Sequence, residues 1–130
     1  MDNRQYRLIK SVTPGPYVFI LHATKEVPRR LSHPSRKTIG LRVPAHAITL
    51  ALLETLGQPL LGTTLILPAD EDPLNDPEDI RTQLEKQVDL VIDGGPCPRE
   101  PSTVIDLTGD EPALVRAGRG PLEPFGLASA

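Results

Sequence analysis

Five consecutive apolar residues, Tyr17-Val18-Phe19-Ile20-Leu21, constrain the fold of this chain more than any other stretch. The run is short, rich in β-branched and aromatic residues, and never alternates with polar ones. It reads as a strand buried on both faces. Thr13-Pro14-Gly15-Pro16 delivers the chain to it as a turn. Ahead of the turn, Tyr6, Leu8, Ile9 and Val12 give residues 2–11 a helical spacing that Pro14 must end.

Strands and helices alternate from there on. Thr38–Val43 is a second strand, stopped by Pro44. Ala45–Leu56 places Ile48, Ala51, Leu52 and Leu56 at helical spacing, with Gly57 as a left-handed terminator. Leu60–Leu67 reads as a third strand running through Gly62-Thr63-Thr64, and Pro68–Asp76 as an acidic loop. Asp76-Pro77-Glu78-Asp79 starts a helix whose buried stripe is Ile80, Leu84 and Val88. Leu90-Val91-Ile92 is a fourth strand, and Thr103–Leu107 and Ala113–Val115 are two more. The pattern predicts an α/β fold: a twisted, mixed sheet with flanking helices and no internal repeat.

Composition bounds what such a fold can do. Leu, Ile, Val and Phe make up 37 of 130 residues, enough for a packed core despite 15 Pro and 10 Gly. The longest apolar run, Ala47–Leu53, is broken by Thr49 and falls well short of the roughly 18 residues of a membrane helix. The opening MDNRQYRLIK has no apolar signal core, so the expectation is a soluble, cytoplasmic, single-domain chain or a piece of one. A single cysteine, Cys97, excludes an internal disulfide and any multi-cysteine zinc site, and between Pro96 and Pro98 it reads as an inert thiol. His22, His33 and His46 lack metal-ligand spacing, and no metal site is expected. No phosphate-binding glycine loop, dinucleotide turn, nucleophile elbow or zinc-protease helix occurs. The net charge of −3 is uneven: residues 1–37 hold eight Lys/Arg against Asp2 and Glu26, and the remainder six against fifteen acids. The basic segment either meets phosphate or is an ordinary solvated surface.

Four stretches carry chemistry of their own. In Thr38-Ile39-Gly40-Leu41-Arg42-Val43 an Arg sits inside an apolar strand, where its guanidinium must reach an edge, a carboxylate or a ligand, a structural ion pair and a ligand clamp being equally open. Pro59-Leu60-Leu61-Gly62-Thr63-Thr64 ends in small residues and hydroxyls, suited to an anion or to a plain strand exit. Pro101-Ser102-Thr103-Val104-Ile105-Asp106 enters a strand from a Gly/Pro-rich loop, and Val115-Arg116-Ala117-Gly118 leaves one on an Arg. Asp93 and Asp106 read as turn caps rather than a carboxylate pair.

In order, TPGPYVFIL, TIGLRVP, PLLGTT, VDLVIDGG, PSTVIDLT and VRAGRG resemble the YrdC/YciO-like family, the threonylcarbamoyl-AMP synthase superfamily. Lys25-Glu26-Val27-Pro28-Arg29-Arg30 and Leu84-Glu85-Lys86-Gln87-Val88-Asp89 resemble its YciO branch most. The resemblance implies a YrdC-like domain over residues 1–125, followed by a disordered tail at 126–130. It implies condensation of L-threonine, bicarbonate and ATP (with Mg) into threonylcarbamoyl-AMP and pyrophosphate, for modification of tRNA. Arg42 then matches the clamp on the threonine carboxylate, and Ser102 the serine on the threonine side of the pocket. Thr64 matches the second Ser of the family's S-T-S-A-N motif, and Arg116 the arginine facing the nucleotide phosphates. A planar guanidinium fork suits a carboxylate, and a fixed cation suits departing pyrophosphate.

The chain also departs from the synthase pattern. Gly62 and Ile66 stand where S-T-S-A-N has its first Ser and its Asn, which removes two polar contacts to the nucleotide. The early P-T-D-T-x-Y-G-L and K-x-R motifs are absent, so the expectation is the C-terminal three-fifths of a truncated or mis-started domain. Such a chain is expected to expose strand edges at Tyr17–Leu21 and Leu90–Ile92 and to self-associate through them. The other function class is a non-catalytic nucleotide- or double-stranded-RNA-binding module, with Arg29, Arg30, Arg36 and Lys37 as the phosphate contact.

Overall fold

The computed structural model describes residues 1–28, 32–35 and 37–128, in two compact units: 1–59 with 101–130, and 60–100. The first unit is a mixed α/β structure in which helices α1 (Asn3–Val12) and α2 (Ala47–Leu56) accompany a four-stranded sheet. Its strands are β1 (Tyr17–His22), β2 (Thr38–Arg42), β3 (Thr103–Asp106) and β4 (Ala113–Arg116), in the order β2-β1-β3-β4. β1 runs antiparallel to β2 and parallel to β3, and β3 antiparallel to β4. The helix of the second unit is α3 (Pro77–Leu84).

Local chemistry sets the helix ends. Asp2 caps α1 by accepting from the Gln5 N–H at 2.8 Å, and the Gln5 side chain accepts from the Asp2 N–H at 3.0 Å. This reciprocal pair satisfies two backbone donors that the first turn leaves open. Gly57 ends α2 at φ 72°, a conformation in which a side chain would be strained, and its N–H donates to Leu53 O at 2.9 Å. Asp76 starts α3 by accepting from the Glu78 N–H at 3.0 Å, with Pro77 as its first residue.

The core lies on one face of the sheet. Tyr17, Phe19 and Leu21 of β1 and Ile105 of β3 pack with Ile9 of α1, Leu107, Leu122 and Phe125. The rings of Tyr17, Phe19 and Phe125 meet with centroids 5.2–5.9 Å apart. Leu127, within the expected tail, packs against this cluster; Ser129 and Ala130 lie outside the described residues.

Four sequence expectations are corrected. β1 is not fully buried on both faces: Val18 and Ile20, pointing away from the core, are only half-buried. It is also an interior strand, paired on both sides, so the open edges of the sheet belong to β2 and β4. Leu60–Leu67 and Leu90–Ile92 form no strands, since apolar content makes a strand only where a second strand pairs its N–H and C=O groups. Leu61 and Leu90 remain 82% and 75% exposed. Val88 lies past the end of α3, and neither Ile80 nor Leu84 is fully buried.

Candidate functional site

Sheet register assembles the candidate site. Val18 of β1 pairs with Arg42 of β2 on one side and with Val104 of β3 on the other, and Val104 pairs with Arg116 of β4. Partners in register share a face. Arg42, Val18, Val104 and Arg116 therefore form one row on the face opposite the core, with a cation at each end and two valines between. The next row is Gly40, Ile20 and Asp106. Glycine at 40 keeps the floor low: a Cβ there would stand 3.4 Å from the Val18 side chain.

Arg42 is exposed at the end of β2 and has no carboxylate partner among the described residues. Its guanidinium thus reaches an edge of the sheet, one of the ways out that the sequence allows. The adjoining Val43 carbonyl accepts from the Gly15 N–H at 2.9 Å, which holds the end of β2 beside the entry to β1.

A β-bulge aims Arg116. Ile105 pairs with Leu114, so an uninterrupted ladder would set Val115 opposite Val104; the register instead shifts and Arg116 takes that place. Leu114 packs against the core, and strict alternation would have turned Arg116 toward the core as well. The extra residue turns it to the open face. There the Arg116 Nε and Nη2 donate to the Ser102 carbonyl at 3.2 and 2.9 Å. Nη1 makes no hydrogen bond among the described residues.

Ser102 immediately precedes β3 and is 9% exposed. Its hydroxyl has no hydrogen-bond partner among the described residues, although its carbonyl takes both Arg116 bonds. The stretch beyond Arg116 is fastened to the same place: the Arg119 N–H donates to Pro101 O at 2.9 Å and the Gly118 N–H to Thr103 Oγ1 at 3.1 Å. Only glycine fits at 118, where a Cβ would meet the Pro101 carbonyl oxygen at 2.2 Å.

The remaining sequence candidates fall elsewhere. Thr64 is exposed in the second unit and is not part of the row. Arg29, Arg30 and Arg36 lie outside the described residues; Lys37 is exposed, at φ 53°, just before β2. Asp106 caps a turn as expected, its Oδ1 accepting from the Thr108 N–H and hydroxyl at 2.8 and 2.6 Å. Asp93 does the same for the Gly95 N–H at 2.9 Å. Among the described residues, no group of three or more His, Cys, Asp or Glu is placed to hold a metal, and no helix is long and apolar enough to cross a membrane. The sequence reading missed Thr103 and the bulge at Val115. Gly118 and Gly120, spaced two apart after an Arg, were the signal that a backbone passes closely there.

The Sua5/YciO/YrdC family model, described as telomere recombination, matches residues 1–118. The uncharacterized protein YciO of Escherichia coli (strain K12) is 57% identical over 125 residues, covering 96% of this chain and 61% of that protein. The crystal structure of E. coli YciO matches with a TM-score of 0.89 over the same shares. The threonylcarbamoyl-AMP synthase of Pyrococcus abyssi (strain GE5 / Orsay) is 32% identical over 117 residues, 89% of this chain and 34% of the synthase. The crystal structure of P. abyssi Sua5 complexed with L-threonine is 30% identical, with a TM-score of 0.82 over 95% of this chain and 36% of Sua5. The chain thus spans about three-fifths of the length of the first relatives it matches.

Proposed function

We propose a function from the premise that this chain belongs to the Sua5/YciO/YrdC family: it binds L-threonine on the open face of its sheet, as the amino-acid side of a threonylcarbamoyl-AMP synthase-type site. The observation that carries the reading is the row Arg42–Val18–Val104–Arg116 with the hydroxyl of the largely buried Ser102 beside it. Arg42 offers a planar fork with no partner among the described residues to a carboxylate, and Ser102 a hydroxyl to the amino-acid head. Val18 and Val104 supply an apolar floor, which suits a small side chain with a methyl group.

At the other end of the row, Arg116 is rigid because two of its nitrogens are committed to Ser102. A preorganised cation of this kind holds ATP phosphates and stabilises charge as pyrophosphate departs. The overall chemistry joins threonine and bicarbonate to the adenylate of ATP, releasing pyrophosphate and water. Mg2+ enters with ATP as part of that substrate. The P. abyssi Sua5 structure with L-threonine and the synthase name of the P. abyssi relative support the amino-acid assignment.

Calorimetric titration of the 130-residue chain with L-threonine tests the reading. Saturable binding that L-serine and L-valine reproduce only weakly is expected. No heat of binding, or equal binding of L-valine, overturns it. Double-stranded RNA titrated at two salt concentrations tests the other reading: affinity that falls steeply with salt, with no response to L-threonine, would replace it.

A further inference from the structure

Thr103 is fully buried at the start of β3, where valine would fill the same volume and serve the strand equally well. A buried hydroxyl is costly unless it is bonded, and this one is bonded twice. It accepts from the Gly118 N–H at 3.1 Å and donates to the Gly120 carbonyl at 2.8 Å. Both partners lie on the strap that leaves Arg116, and the strap has no slack. A Cβ at Gly118 would overlap the Pro101 carbonyl, and one at Gly120 would stand 2.3 Å from the Tyr17 ring. The Thr103 N–H is itself anchored on Pro16 O at 2.9 Å, so the hydroxyl hangs from the sheet rather than from the loop.

We infer that Thr103 is a positioning residue for the ligand site: its hydroxyl fixes the strap 117–120 and thereby holds Arg116 against Ser102. The two residues assigned to threonine and to nucleotide then move as one unit, and the geometry between them is set by a group that touches neither ligand. The strap crosses from the open face at Arg116 to the core side at Gly120, so releasing it at Thr103 frees the guanidinium to leave the Ser102 carbonyl. This inference rests on the proposed binding of L-threonine.

The test titrates the unaltered chain, Thr103→Val and Thr103→Ser with L-threonine, well below each melting temperature. Thr103→Val, which keeps the shape and removes the hydroxyl, is expected to bind about tenfold more weakly, as follows if the released strap leaves about one molecule in ten in the binding arrangement. Thr103→Ser is expected to restore binding to within about twofold, since its hydroxyl can make both bonds. Lower melting temperature with unchanged affinity in Thr103→Val would make the hydroxyl purely structural and overturn the inference alone. Absence of binding by the unaltered chain would instead overturn the threonine reading and this inference with it. Should Thr103→Val not fold, nitrogen-15 spectra of the unaltered chain decide the matter. The Arg116 Nε–H and Gly118 N–H signals are expected to shift together on saturation with L-threonine, and threonine binding that moves neither overturns the inference.

Discussion

Arg42 and Tyr17 show how differently two side chains of one sheet respond to removal. Arg42 is exposed and its side chain bonds to no other described residue, so Arg42→Ala should leave the melting temperature nearly unchanged. If it clamps a carboxylate, the lost charge-assisted bonds cost about 1.5–3 kcal/mol, or about 10- to 100-fold in L-threonine affinity. Calorimetry on the variant checks this, with ATP affinity expected to hold; an unchanged threonine affinity removes Arg42 from the site. Tyr17 is the opposite case. It is buried, and its hydroxyl donates to Pro121 O at 2.7 Å. Burial, and to a lesser degree the nearby Glu123 carboxylate, raises its pKa above the ordinary tyrosine value. The unfolded phenol ionises near pH 10, whereas the folded one still holds its proton there. The folded state then binds more protons, so stability is untouched below about pH 10 and falls as pH rises beyond it. Tyr17→Phe should cost about 1 kcal/mol at neutral pH through the lost bond and should flatten the alkaline decline. Urea melts of both proteins at neutral pH and above about pH 10 measure the two effects.

Elements whose ends are fixed by neighbouring residues were legible in the sequence, and those that need a distant partner were not. Pro14, Gly57 and the Asp76-Pro77 pair mark helix limits locally, and α1, α2 and α3 lie where they place them. The strands Tyr17–His22, Thr38–Arg42, Thr103–Asp106 and Ala113–Arg116 were legible because each is apolar and also paired. Leu60–Leu67 and Leu90–Ile92 are as apolar, and nothing in their composition reveals that no neighbour pairs with them. The same limit applied to the site. Arg42 stood out as a charge within an apolar strand, but the bulge that aims Arg116 depends on pairing with β3 and has no local mark. Caps remain the most testable local devices. Asp2→Ala removes the side-chain half of the α1 capping box and should destabilise the chain by about 0.5–2 kcal/mol. The loss should appear in a thermal melt and be accompanied by fraying at Asn3–Gln5 in amide hydrogen exchange. Equal stability of the variant would mean that packing of Ile9, rather than the cap, holds α1.

At the scale of the whole molecule, the distribution of apolar surface predicts association. The core that exists is confined to one face of the sheet in the first unit, and α2 buries none of its residues. Ile48, Leu52 and Leu56 fall four apart along α2, so they line one side of that helix, and they are 37%, 44% and 42% exposed. In the second unit Leu61, Leu90 and Ile92 are more exposed still, at 82%, 75% and 53%. Among the described residues, β2 and β4 each pair with one strand only, and an edge of that kind recruits strands from other chains. Each apolar side chain left in water forgoes about 1.5–3 kcal/mol of burial, against a typical domain stability of about 5–15 kcal/mol. A second copy is the nearest source of both missing partners, an apolar helix face and a free strand edge. The purified 130-residue chain is therefore expected to elute from size-exclusion chromatography with a light-scattering mass above 14.1 kDa, rising with concentration. Leu52→Lys and Leu56→Lys together should lower that mass, because charge on the α2 stripe opposes its burial. A monodisperse species of 14.1 kDa with one cooperative melting transition would show instead that the small one-sided core suffices.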